Sequence, residues 1–170
     1  MPDETVEKHL KIFTLLSPSQ IAIAMEKQTA APESRSAQIL LANEVVTLIH
    51  GGSKASQASI QTQLLFPPSS SAMRFSAQQI IDAFDGDGRL VDVPKTELIG
   101  EMVSKIMRRV GAVKTRSEAD NIIRGGGVYY GQEGKRIDDM RASVQEDWLL
   151  GGQILLLRIG KGKFAIVRVV

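Results

Sequence analysis

Apolar residues recur at helical spacing through the first 66 positions. Val6, Leu10 and Phe13 fall at i, i+4 and i+7, one face of a short helix. Ser17-Pro18-Ser19-Gln20 is a start signal: Ser17 suits the cap, Pro18 the first helical position, and Gln20 the reciprocal place of a capping box. Ile21, Ala24 and Met25 continue as an apolar face, and Pro32 breaks it. Ala37, Leu40, Leu41, Val45, Leu48 and Ile49 form a stripe over more than three turns, stopped by Gly51-Gly52. Ser53 is the expected cap of a further helix to about Leu64. These positions predict an all-helical subdomain over 1–66.

The pattern then changes. Phe66-Pro67-Pro68-Ser69-Ser70-Ser71 has the composition of a linker. A short helix is expected at Ser76–Phe84, a turn at Asp85-Gly86-Asp87-Gly88, and an extended piece at Leu90–Pro94, so 67–100 reads as linker and extension. From Thr96 to Val110 the helical period returns, with Val103, Ile106, Met107 and Val110 on one face. Thr115 and Glu118 have capping-box spacing ahead of a helix over Arg116–Arg124, whose core side is Ala119, Ile122 and Ile123. Gly125-Gly126-Gly127 ends it, Val128-Tyr129-Tyr130 is strand-like, and Leu155–Ile159 and Phe164–Val169 form a hairpin about Gly160-Lys161-Gly162-Lys163. The expected class is α+β: the helical subdomain, then over 101–170 a small domain of two helices packed on a mostly antiparallel sheet.

Composition narrows the function. The 170 residues contain no cysteine, which excludes disulfides, thiolate metal sites and cysteine nucleophiles. No apolar run approaches the ~20 residues of a membrane helix, and the acidic start Met1-Pro2-Asp3-Glu4 is neither a signal nor a transit peptide. The net charge of +2 is uneven: residues 101–170 hold thirteen Lys/Arg against eight Asp/Glu. That excess suggests a polyanionic partner for the last third.

Chemical motifs are weak. Asp85-Gly86-Asp87-Gly88 fails as a calcium loop, because Leu90 stands where the invariant glycine belongs and Thr96 where the terminal Glu belongs. Gly125-Gly126-Gly127 follows a helix and precedes a strand, the reverse of a dinucleotide fingerprint. His9 and His50 lack a second ligand at metal spacing, and the adjacent pairs Asp138-Asp139 and Glu146-Asp147 read as turn and solvated segment. Trp148 reads as a packing anchor. The cations form a more telling set. Lys114, Arg116, Asn121 and Arg124 belong to one short helix or its approach, Lys105, Arg108 and Arg109 to the preceding helix, and Lys161 and Lys163 to a hairpin tip. Two helices in an L would align them along one groove at phosphate height. Two ordinary amphipathic helices with a basic exposed face remain the alternative.

Val113-Lys114-Thr115-Arg116-Ser117-Glu118-Ala119, the glycine turn with Val128-Tyr129, and Leu157–Val169 resemble the S-four-type RNA-binding domain. His9–Ser17 and Gln38–Gly51 resemble the helical domain that follows the catalytic domain of bacterial-type tyrosyl-tRNA synthetases. The two blocks stand in that family's order. The resemblance implies an anticodon-binding helical subdomain and a terminal S-four-like domain that together hold the anticodon and variable arms of tyrosine tRNA, with group I intron RNA as a second partner in fungal mitochondrial members. It carries RNA contact onto Lys114, Arg116, Asn121, Arg124, Lys161 and Lys163, while Lys105, Arg108 and Arg109 follow from charge alone. The family's HIGH-type and KMSKS-type motifs are absent, and the chain is expected to begin where the catalytic domain would end. It is then a C-terminal piece of a ligase that does not activate tyrosine alone, so its standing as an enzyme is open. No cofactor is expected in this chain, ATP and Mg being those of the missing domain, and homodimerisation is expected through that domain. The implied location is the mitochondrial matrix or, alternatively, the bacterial cytoplasm, with no membrane partner. A free-standing S-four-like or ribosome-associated protein is the alternative reading.

Overall fold

The computed structural model describes residues 5–66, 74–160 and 162–170. The linker expected about Pro67–Ser71 and the hairpin residue Lys161 lie outside the described residues. The chain divides into two compact units, Met1–Thr62 and Gln63–Val170.

The first unit is helical: α1 (Val6–Phe13), α2 (Pro18–Ala30), α3 (Ser36–His50) and most of α4 (Gly52–Leu65). The capping box at α2 forms as its spacing requires. Ser17 Oγ accepts from Gln20 N at 3.3 Å, and Gln20 Oε1 accepts from Ser17 N at 2.8 Å, with Pro18 at the first position. Val6, Leu10, Ile21 and Ala37 make the core, with Leu16, Met25, Leu40 and Leu41 packed against it. Two apolar patterns extend beyond this core. Phe13, the last residue of α1, is 52% exposed and stacks on His9 instead. The α3 stripe is buried only in its first half; Leu48 and Ile49 are 61% and 66% exposed. The small core lies against the first turns of α3, so the later turns of this fifteen-residue helix find no cover within it.

The start of α3 also carries no local cap. Its N-cap residue, Arg35, is left-handed with φ of 50° and contributes no side-chain hydrogen bond. The buried Gln28 of α2 supplies the missing group. Its Oε1 accepts from Ala37 N at 3.2 Å and its Nε2 donates to Pro32 O at 3.1 Å. A buried amide thereby satisfies orphan donors and carbonyls of the α2–α3 connection and ties the two helices together.

In the second unit, α5 (Ala77–Phe84), β1 (Leu90–Val93) and α6 (Lys95–Leu98) precede α7 (Val103–Arg109) and α8 (Arg116–Arg124), followed by β2 (Val128–Tyr130), β3 (Lys135–Arg136), β4 (Ile154–Ile159) and β5 (Lys163–Val169). The strands form one sheet in the order β1-β5-β4-β2-β3, antiparallel except where β1 runs parallel to β5. The mixed α+β class and the mostly antiparallel sheet agree with the sequence expectation. Leu155, Leu157 and Ile159 alternate onto one face, where they meet Val103, Ile106 and Met107 of α7 and Ala119 and Ile123 of α8. Ile154 and Leu156 point to the other face with Ile166, and all three are buried. The helix α5 buries Ala77, Ile80, Ala83 and Phe84; a Cβ on Gly151, in the turn entering β4, would lie 3.3 Å from the Ala77 Cβ. The short helix expected at Ser76–Phe84 thus belongs to the same unit as the two expected over 101–170.

The helical period read from Thr96 to Val110 is interrupted. α6 stops at Leu98, and Gly100 takes a left-handed φ of 79°. Gly100 N donates to Val144 O at 2.9 Å and Val144 N to Glu101 O at 2.9 Å, so a strand-like contact with 142–144 replaces the helix there. A tertiary partner thus recruits the backbone of Gly100 out of the helical period.

Two ion pairs bind β1 and its approach. Asp87 accepts from Arg89 N at 2.9 Å and from Arg89 Nε at 2.8 Å, which holds its carboxyl below the ordinary range, mainly through the guanidinium hydrogen bonds. Asp92 takes both Nε and Nη2 of Arg168 at 2.7 Å across the β1–β5 pair, with its carboxyl likewise lowered.

Leu157→Ala removes a fully buried side chain from the central strand and is expected to lose about 2–5 kcal/mol in denaturant unfolding, whereas Phe13→Ala changes stability by no more than about 0.5 kcal/mol. The depressed Asp87 carboxyl contributes stability that is present above the ordinary carboxylate pKa of about 4 and is lost as pH falls through its lower folded value. Asp87→Asn is therefore expected to lower the melting temperature at neutral pH, and the gap to the parent protein should narrow as pH falls below about 4 in thermal circular dichroism.

Candidate nucleic-acid interface

The cationic residues are placed by α7, α8 and their connection. Thr115 Oγ1 accepts from Glu118 N at 3.1 Å, capping α8 as its position predicts. The reciprocal half of the box differs: Glu118 Oε2 takes Lys114 N at 2.9 Å, one residue earlier. Both bonds fix the Lys114–Arg116 backbone at the entrance to α8. At its far end the three glycines turn the chain. Gly126 has φ of 68° and donates to Ile123 O at 2.8 Å, and Gly127 donates to Ile122 O at 2.9 Å. A Cβ on Gly127 would lie 3.0 Å from Ile122 Cγ2, so a side chain at this close return of the chain would press on α8.

Lys105, Arg108, Arg109, Lys114, Arg116, Asn121, Arg124 and Lys163 are all exposed. They differ in how far acids already occupy them. Lys105 pairs with Glu101 at 3.0 Å, and Arg109 pairs with Glu97. Arg116 is only loosely set against Asp120, at 3.9 Å, while its Nη2 lies 3.4 Å from Met102 Sδ. Arg124 donates to Asn121 Oδ1 at 3.3 Å and lies 3.4 Å from Met140 Sδ. Arg108 and Lys114 form no ion pair among the described residues. Lys163 Nζ donates to Ala112 O at 3.5 Å, which brings the β4–β5 hairpin up to the α7–α8 connection.

Glu101 is the acid within this set. Its Oε1 accepts from Met102 N at 2.8 Å, and it faces both Lys105 and Arg116; these contacts, the Met102 amide first, hold its carboxyl below the ordinary range. It therefore remains ionised and screens two of the cations. The i, i+4 spacing of Glu101 and Lys105 is visible in the sequence. The Glu97–Arg109 pair and the Met102 and Met140 contacts are not, because they bridge separate elements.

The described architecture is thus a small helical unit and an α+β module whose paired helices carry an exposed row of cations beside a basic hairpin. No protein-family model matches the chain. Sequence relatives do. A mitochondrial tyrosine–tRNA ligase of Drosophila melanogaster is 34% identical over 170 residues, covering 99% of this chain and 36% of that protein. A tyrosine–tRNA ligase of Roseiflexus castenholzii is 31% identical, covering 99% of this chain and 39% of that protein. A solved structure, a C-terminally truncated Aspergillus nidulans mitochondrial tyrosyl-tRNA synthetase, is 45% identical over 39% of this chain and 20% of its own, with a TM-score of 0.38. The chain matches the C-terminal region of tyrosyl-tRNA synthetases, mitochondrial and bacterial, and spans less than two-fifths of the length of these two ligases.

Proposed function

We propose that this chain is the tRNA-binding C-terminal region of a tyrosyl-tRNA synthetase, its second unit an S-four-type RNA-binding module. The observation that carries the reading is the exposed cationic edge of α8. Lys114 and Arg116 stand at its start and Arg124 two turns later, with Lys163 delivered to the α7–α8 connection from the hairpin. The similarity to tyrosine–tRNA ligases over nearly all of this chain supports tyrosine tRNA as the RNA.

In this reading the cations meet phosphates along the anticodon and variable arms. Each contact releases counterions, and shape rather than base sequence selects the arm. Asn121, which accepts from Arg124, contacts a sugar or base edge in this reading. Lys161 shares the hairpin tip by sequence. Lys105, Arg108 and Arg109 extend the field along α7, Lys105 and Arg109 only after exchanging Glu101 and Glu97 for phosphate. The helical unit is the anticodon-arm part. Ligase chemistry, with ATP and magnesium, and dimerisation belong to the portion of the ligase that this sequence does not span. The mitochondrial fly and Aspergillus relatives support a mitochondrial matrix location, and group I intron RNA is a second structured RNA that the same shape-reading face would accept.

The double variant Arg116→Ala with Arg124→Ala is expected to weaken tyrosine-tRNA binding and reduce the slope of log affinity against log salt by about 1 to 2, the loss of up to two phosphate contacts. Unchanged affinity at low salt in filter binding would remove the α8 assignment. Glu101→Gln should act oppositely, tightening RNA binding by releasing Lys105 and Arg116, with the gain shrinking as salt rises.

A further inference from the structure

The sheet face turned away from α7 and α8 ends in a row that the helical-face reading does not use. Register places Arg136 of β3, Tyr129 of β2, Arg158 of β4 and Phe164 of β5 side by side. Along this face the buried Ile154 and Leu156 give way to a half-buried Arg158, flanked by half-buried Tyr129 and Phe164. The Arg158 guanidinium lies 4.3 Å from the centre of the Tyr129 ring. Its Nε is buried and has no hydrogen-bond partner, and no carboxylate pairs with it among the described residues. The other arginines on this face differ. Arg168 is held bidentately by Asp92, and Arg136 pairs with Asp138 at 2.5 Å.

We propose that Tyr129, Arg158 and Phe164 form a stacking platform for one or two unpaired nucleotides of the bound RNA. Neighbouring strands lie about 4.8 Å apart, so three adjacent side chains span roughly 10 Å, a length suited to a base and its flanking phosphate. Aromatic faces accept any base, and a guanidinium without a carboxylate both stacks and attracts phosphate. An acidic peptide would use the charge and leave the rings idle. The hairpin joins the two surfaces: Lys163 reaches the α7–α8 connection, and the next residue, Phe164, alternates onto the opposite face. A strand leaving a helical arm clamped at α8 can pass the hairpin end and lay its unpaired nucleotides on this row. The inference rests on the RNA-binding reading above.

The test compares two RNA hairpins with the same stem, one blunt and one with a short single-stranded tail, binding to the full chain at about 50 mM salt, where phosphate contacts are strong. The parent protein should prefer the tailed RNA by about fivefold or more, the gain from one stacked base. Tyr129→Leu and Arg158→Met should each remove that preference and leave blunt-hairpin affinity unchanged, while Tyr129→Phe, which keeps the ring, should retain it. Arg116→Ala with Arg124→Ala should weaken both RNAs and preserve the ratio. Absence of a tail preference in the parent protein, its survival in the Tyr129→Leu/Arg158→Met double variant, or equal losses on both RNAs would overturn the platform while leaving the α8 reading intact. Failure of the parent protein to bind either RNA would overturn both.

Discussion

The second unit depends on the burial of β4 on both faces. Ile154, Leu155, Leu156 and Leu157 are consecutive and all buried, so neither side of the strand can face water. Strand alternation sends Leu155 and Leu157 under α7 and α8, and Ile154 and Leu156 to the opposite face. A slip of one residue would exchange the two sets, and it would also move Arg158 from the open row into the helix-covered core. The same register fixes β5 on one side and β2 on the other. It therefore decides both where the hairpin meets the helices and which side chains line the second face.

Electrostatics in this module are arranged as occupied and unoccupied cations. Glu97, Glu101, Asp92 and Asp138 hold Arg109, Lys105, Arg168 and Arg136, while Lys114, Arg108 and Arg158 have no carboxylate among the described residues. Exposed pairs of this kind contribute little to stability, about 0–1 kcal/mol each, and they are exchangeable for phosphate at modest cost. Net charge alone does not reveal this division. The excess of lysine and arginine in the last third indicates a polyanion, but the acids determine which cations are ready to meet it.

Much of the local structure was legible. The Ser17 box, the Ser76–Phe84 helix, the Thr115 cap, the glycine stop after α8 and the terminal hairpin all follow from turn and capping chemistry confined to a few neighbouring residues. The departures have tertiary causes. Gly100 breaks a periodic segment because Val144 takes its amide; the second half of the α3 stripe lies beyond the small core; and α3 is capped from the preceding helix by Gln28 rather than by its own flank. The cation set was legible as residue types at the edges of two helices and a hairpin, since charge and period place them off the core side.

The amino-acid sequence by itself determined most of the elements, the α+β class, the basic character of the last third and the likeness to tyrosyl-tRNA synthetases, because each is carried by short-range pattern or by motif order. Tertiary structure alone decided the pairing of β1 with β5, the burial of β4 on both faces, which cations are held by acids, and the alignment of Tyr129, Arg158 and Phe164 in one row. Those features join residues tens of positions apart. Their contacts depend on strand register and helix packing, which a local pattern constrains only through the burial it demands.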